Sequence, residues 1–238
     1  MLVHGARADG SSWAAVTEKL QHQGYTVDVP PNPLRGVASD AAYLAAYLGT
    51  ILGTISGPIV LVGHSYGGMV ITAAATGNAN VEALVYIDAF IPDTGDSAGS
   101  LTAAEPGSAL LVADSTTVFN AVPIPDGGGN ADLYVQQPLF PAMFVAGAPA
   151  RQAAVLAAGQ RPLAASALDE ALATAPAWQT IPSWALVGTA DQVIPSAEQL
   201  VMATRACAHT VKAEASHLSM VTRPDVVTDL ITEAAARS

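Results

Sequence analysis

The chain predicts an α/β fold: a mostly parallel sheet flanked by helices, with an inserted helical cap. Three observations lead there. Short apolar runs of strand length alternate with stretches of helical period. The run at 58–63 (PIVLVG) is apolar without a break, as in strands covered on both faces. The alternation stops between 92 and 179 and then resumes, so a core made of 1–91 and 180–238 is expected to hold a separate cap or lid of 92–179.

The elements follow in order. Residues 1–4 (MLVH) read as a strand. Residues 11–23 read as a helix, with a serine at its start and Trp13, Val16 and Leu20 spaced for one buried face. Residues 25–29 read as a second strand, stopped by Pro30 and Pro31. A helix is expected over 39–53, a strand over 58–63, a helix over 66–76 and a strand over 83–88. Beyond Pro92 the chain is rich in Pro, Gly and Ala, with a loop at 126–129 (DGGG) and helical pieces near 150–156 and 164–173. The alternation returns with a strand at 183–188, a helix at 196–204, a strand at 210–214 and a closing helix near 225–236.

Composition narrows the function. At 238 residues, 51% of them hydrophobic and 12% charged, the chain is long and apolar enough for a sizeable core. Twenty acids against nine Lys and Arg give a net charge of −11, which repels phosphate backbones and anionic headgroups. Neither nucleic acid nor a membrane is therefore an expected partner. No cation stands out that would bind an anionic substrate. The most apolar stretch, 41–55, is too short to span a bilayer and is read as a buried helix. No signal-peptide pattern opens the chain, so a cytoplasmic location is expected, although a start almost directly in a strand leaves an upstream segment open. The single cysteine, Cys207, excludes an internal disulfide and reads as a small residue near a helix end.

The strongest motif is Gly63-His64-Ser65-Tyr66-Gly67, a G-x-S-x-G sequence between an expected strand and an expected helix. Such a turn is so sharp that side chains at the flanking glycines would clash. In return it exposes the serine Oγ at the carboxyl edge of the sheet. A nucleophilic serine needs a base, and the base an orienting acid, in the chain order Ser, Asp or Glu, His. Of the five histidines, His217 lies just past the last strand, where the base belongs. Asp191, after the penultimate strand, is the expected acid, with Asp88 as the fallback. The loop after the first strand, His4-Gly5-Ala6, should supply one oxyanion amide, so the donors are assigned to the backbone of Ala6 and Tyr66. His4 reads as a structural histidine bonding its own loop. Trp13, Phe90, Phe140, Phe144 and Leu218, with Tyr66, are the candidate substrate-lining residues.

At these residues the chain resembles the α/β-hydrolase superfamily. More narrowly, it is similar to the small cofactor-free esterases grouped with plant methylesterases, hydroxynitrile lyases and pyrethroid-hydrolysing esterases. The resemblance rests on Leu2-Val3-His4-Gly5-Ala6 with Ser11-Ser12-Trp13, and on the elbow from Val62 to Gly68. It extends to Gly188-Thr189-Ala190-Asp191 with Ile194-Pro195, and to Ser216-His217 with Met220. It implies hydrolysis of a small-molecule ester with no metal and no organic cofactor. The lyases carry a threonine where this chain has Gly5 and a lysine where it has Gln192, and both differences argue against cyanohydrin cleavage. Perhydrolysis of the haloperoxidase-like kind, lactone hydrolysis and a small-molecule receptor role use the same residues and stay open, as does a homodimer.

Overall fold

The computed structural model of the chain describes residues 1–51 and 57–237. The chain enters through β1 (Leu2–Val3), α1 (Ala14–His22), α2 (Val37–Ile51), β2 (Ile59–His64), α3 (Gly67–Ala74) and β3 (Val81–Ile87). A different kind of segment follows: α4 (Ala98–Ala104), β4 (Phe119–Pro123), β5 (Ala131–Val135), α5 (Phe140–Phe144), α6 (Ala150–Ala158), β6 (Leu163–Ala164) and α7 (Ser166–Asp169). The alternation then resumes through β7 (Ser183–Gly188), α8 (Ser196–Arg205), β8 (His209–Ala213), α9 (Ser219–Thr222) and α10 (Pro224–Arg237).

Five strands form one sheet in the order β1-β2-β3-β7-β8, and every pair in it is parallel. α1 packs against α10, which lies on β2, β3 and β7, while α2 packs against α3, which lies on β2 and β3. Strands enclosed in this way need apolar side chains in both directions. Every residue of β7 is buried, and β3 exposes only Glu82. Because all the strands run the same way, the loops after β1, β2, β3, β7 and β8 emerge at one edge, which also receives Ser65, Asp191 and His217.

Several sequence expectations are corrected. Residues 25–29 form no strand of the sheet. β1 is two residues long, and the single backbone bond between the two segments runs from Leu2 N to Asp28 O, at 2.9 Å. The helix expected at 11–23 divides into a short 3₁₀ turn at Gly10–Trp13, capped by Asp9, and α1. The helix expected at 39–53 begins earlier, at Val37, and Leu52 and Gly53 lie outside the described residues. Nor is the 41–55 stretch buried all round: Ala41, Leu44 and Leu48 face the core, while Tyr43 is exposed. The helical piece expected at 164–173 is instead the end of β6 followed by the short α7. β4, β5 and β6 make a small antiparallel sheet, so the segment between β3 and β7 is not wholly helical, and the 126–129 loop is the β4–β5 turn. Among the described residues, no helix is long and apolar enough to cross a membrane.

Candidate active site

Ser65 stands between the end of β2 and the start of α3 with φ at 52°, a left-handed conformation that a serine adopts only under constraint. The constraint is close backbone approach. A Cβ on Gly63 would lie 2.7 Å from the carbonyl oxygen of Gly67, and one on Gly67 would lie 2.7 Å from that of Val3. One on Gly68 would overlap the carbonyl oxygen of Phe90. The Ser65 carbonyl accepts from Gly68 N at 2.9 Å and Phe90 N at 3.2 Å, which pins the turn to the start of α3 and to the loop after β3.

His217 follows β8 and is fully buried. Its Nε2 lies 2.9 Å from Ser65 Oγ and its Nδ1 2.8 Å from Asp191 Oδ2. One ring thus bridges residues 152 and 26 positions away in the chain. Asp191 Oδ1 accepts from the amides of Val193 (2.7 Å) and Ile194 (3.1 Å), and its Oδ2 accepts from Gln199 Nε2 at 2.7 Å. Burial pushes this carboxyl up, and these donors oppose the push by favouring the charged form. Burial pushes the His217 imidazole down, and the charge of Arg7 pushes the same way, so the ring rests neutral.

Asp88, the alternative acid, makes no hydrogen bond to His217. It sits at φ 45° and is fully buried, with its carboxyl pushed well up by burial and then by Asp191. Its Oδ1 accepts from Gly188 N at 2.9 Å and its Oδ2 from Ser219 N at 3.0 Å. It therefore ties together the two loops that carry Asp191 and His217.

The amides of Ala6 and Tyr66 donate to no acceptor among the described residues. Both sit beside the serine, because a Cβ on Gly5 would come within 2.5 Å of Ser65 Cβ. Phe144 meets the His217 ring edge-on at 5.4 Å, and Phe140 stacks on Phe144 at 4.7 Å. Phe140 and Leu218 also wall a cavity of about 190 Å³ with Arg7 and Ser12. Trp13, Tyr66 and Phe90 are buried. The Tyr66 hydroxyl turns to Asp40, donating at 3.1 Å. A larger cavity, about 260 Å³, opens at the amino ends of β1 and β2 among Met1, Tyr25 and Pro58, away from the serine.

Three residues passed over in the sequence complete the arrangement. Gln199, on α8, holds Asp191 and also donates to Ile194 O at 2.9 Å. Its position eight residues after the acid carries no motif. His64 accepts from Gly5 N on Nδ1 (3.3 Å), which leaves Nε2–H to donate to His217 O (2.9 Å), so it joins the loop after β1 to the loop after β8 as a neutral ring. His4 does bond its own loop, through Nδ1 and Gly5 O at 2.9 Å. The third, Arg7, bears on the expectation that no cation stands out for an anionic substrate: it is 4% exposed and borders the cavity beside Leu218. An arginine directly after Ala6 is legible in the sequence; its burial is not.

Known proteins resemble this chain to different degrees. A carbendazim hydrolyzing esterase from Nocardioides sp. (strain SG-4G) is 36% identical over 108 residues, 41% of this chain and 44% of the relative, so the match spans less than half of that protein. A solved extracellular alpha/beta-hydrolase from a Paenibacillus species superposes with a TM-score of 0.76 at 23% identity, covering 98% of this chain and 97% of that one. A pyrethroid hydrolase from Sphingobium faniae JZ-2 gives 0.75 at 21% identity over 99% and 96%. Polyneuridine aldehyde esterase gives 0.80 at 18% over 98% and 97%. At these identities the structures speak for the fold alone. The alpha/beta hydrolase family matches residues 1–230, and the chain belongs to that family.

Proposed function

We propose that the protein hydrolyses carboxylic esters of small to medium, largely apolar substrates through an acyl-enzyme on Ser65. The observation that carries this reading is the unbroken line from Ser65 Oγ through the His217 ring to Asp191, with spans of 2.9 and 2.8 Å. His217 Nε2 takes the hydroxyl proton as Oγ bonds to the ester carbon. Asp191 holds Nδ1–H and stabilises the imidazolium. The amides of Ala6 and Tyr66 receive the charge that grows on the carbonyl oxygen, which supports their assignment as the oxyanion donors. The carbon–alkoxy bond then breaks, and the alcohol leaves with the proton from Nε2. Water, deprotonated by the same nitrogen, attacks the acyl carbon; the acid departs and Oγ regains its proton. None of these steps draws on a cofactor. The cap segment supplies apolar walls through Phe140 and Phe144, and Leu218 completes them.

The relative described as a carbendazim hydrolyzing esterase supports ester-type chemistry, and the departures at Gly5 and Gln192 support hydrolysis over cyanohydrin cleavage. A fluorophosphonate probe followed by peptide mapping, run beside a panel of ester, lactone and amide substrates, tests the reading. The expected result is label on Ser65 and fastest turnover of esters. Label elsewhere, or undiminished turnover in Ser65→Ala, would sink it.

A further inference from the structure

Arg7 is a cation with nowhere to send its charge. Its backbone, at φ 59°, follows Ala6 directly, and its amide donates to Arg161 O at 2.7 Å, so a fixed loop aims the side chain. The guanidinium lies 5.1 Å from the centre of the Phe119 ring, and neither Nε nor Nη2 has a hydrogen-bond partner among the described residues. No described carboxylate forms an ion pair with it. A buried, unpaired charge is costly, and a cation–π contact offsets only part of that cost.

The surroundings say what would pair with it. Arg7 borders the 190 Å³ cavity with Ser12, whose buried hydroxyl is also unpartnered. Asp9, a further wall residue, commits its Oδ1 to the amide and hydroxyl of Ser11. Ser11 itself is a wall residue, and the others, including Phe140, Leu156 and Leu218, carry no polar side chain. Leu218 is the neighbour of His217 in the chain, Phe140 stacks on the Phe144 ring that touches His217, and Arg7 follows Ala6, so the cavity lies one residue away from the groups around Ser65.

We propose that Arg7 anchors a carboxylate of the substrate, so that the preferred esters carry an ionised carboxyl close to the scissile bond. This rests on the esterase reading above. Nε–H and one Nη2–H lie on a single edge of the guanidinium, the fork that matches the two oxygens of a carboxylate; both nitrogens are covered, so the carboxylate reaches them as the wall side chains give way. Ser12 Oγ offers a third donor. No second cation lines the cavity, which disfavours a phosphate. The anchor also serves the chemistry. His217 must become an imidazolium during attack, and the positive charge of Arg7 opposes this; a carboxylate on Arg7 relieves the opposition only in complexes with the right substrate.

The test uses matched esters on the full chain, with the carboxylate on either side of the scissile bond. On the acyl side, p-nitrophenyl hemiglutarate is compared with p-nitrophenyl pentanoate; on the alcohol side, para-acetoxybenzoate with para-acetoxybenzamide. One arm should favour the anion by about tenfold or more in kcat/KM, as expected for charge-assisted bonds. Arg7→Gln should bring that ratio to about one or below, and Arg7→Lys should keep part of it. Glutarate and benzoate binding to the Ser65→Ala protein, read by calorimetry, reports on the anchor without turnover. Neutral esters preferred in both arms, or anion binding by neither acid, would overturn the anchor while leaving the esterase reading intact. The esterase reading fails separately, if the probe does not label Ser65.

Discussion

At the scale of single residues, each group that touches Ser65 or its partners has a separable effect. Ser65→Ala should lower hydrolysis of a p-nitrophenyl ester by roughly four orders of magnitude or more, leaving what the oxyanion amides and binding alone provide. The two buried aspartates should part company. Asp191→Asn places an amide against His217 Nδ1 and favours the wrong tautomer, so kcat should fall by about 10⁴-fold with little loss of stability. Asp88→Asn leaves that pair untouched but disturbs the amides of Gly188 and Ser219, so its effect should appear first as a lower melting temperature. Equal kinetic losses in the two variants would contradict this division. The pH profile follows from His217. Burial and Arg7 both disfavour its protonation, so the neutral base persists as pH falls, and the acid limb of kcat/KM should lie below the ordinary histidine value of 6.5. A limb at or above 6.5 would mean that Asp191 outweighs both.

At the scale of elements, the elbow and α5 carry the argument. β2 ends and α3 begins around a single serine because Gly63 and Gly67 allow backbone within a distance that a methyl group would occupy. Gly63→Ala should therefore cost about 1–3 kcal/mol, as overpacking does, and lower activity with it; unchanged thermal unfolding and unchanged kcat would show that the turn is looser than it looks. α5 acts from the other side. Phe144 packs its edge on His217, and its carbonyl accepts from Leu218 N at 2.8 Å and from Ser216 Oγ at 3.2 Å. These contacts hold the base loop from the segment between β3 and β7. That segment was the least legible part of the sequence. β4 and β5 are mostly exposed or half-buried, so no alternation of apolar and polar residues marks them, and a hairpin that packs chiefly through its ends, at Phe119 and Val135, reads as loop. The opposite error arose at 25–29, where Tyr25, Val27 and Val29 alternate as in a strand but meet a two-residue β1.

At the scale of the whole molecule, charge and topology matter more than any contact. The net charge of −11 repels anions at long range, whereas the attraction of Arg7 acts at short range inside the fold. Raising ionic strength should therefore increase kcat/KM for a carboxylate-bearing ester and leave its neutral partner nearly flat, a comparison that stopped-flow or steady-state assays can read directly. A decrease with salt would place the decisive cation at the surface. Topology explains why the core was readable at all. In a parallel sheet, a residue just past a strand is at the carboxyl edge wherever that strand lies in the order, so Ser65, Asp191 and His217 could be matched to one edge before any neighbour was known.

The sequence by itself therefore determined the layered fold, the strained turn around Ser65 and the placing of His217 just past the last strand, because these depend on local period, glycine placement and position relative to a strand. Only the tertiary structure put Asp191 rather than Asp88 in hydrogen-bond contact with His217, brought Gln199 and His64 against the same groups and left Arg7 buried with Nε and Nη2 unpartnered among the described residues. Those outcomes depend on which loops lie within hydrogen-bond range once β3, β7 and β8 stand side by side, and on how the segment between β3 and β7 packs over them. Neither is written in the order of the residues.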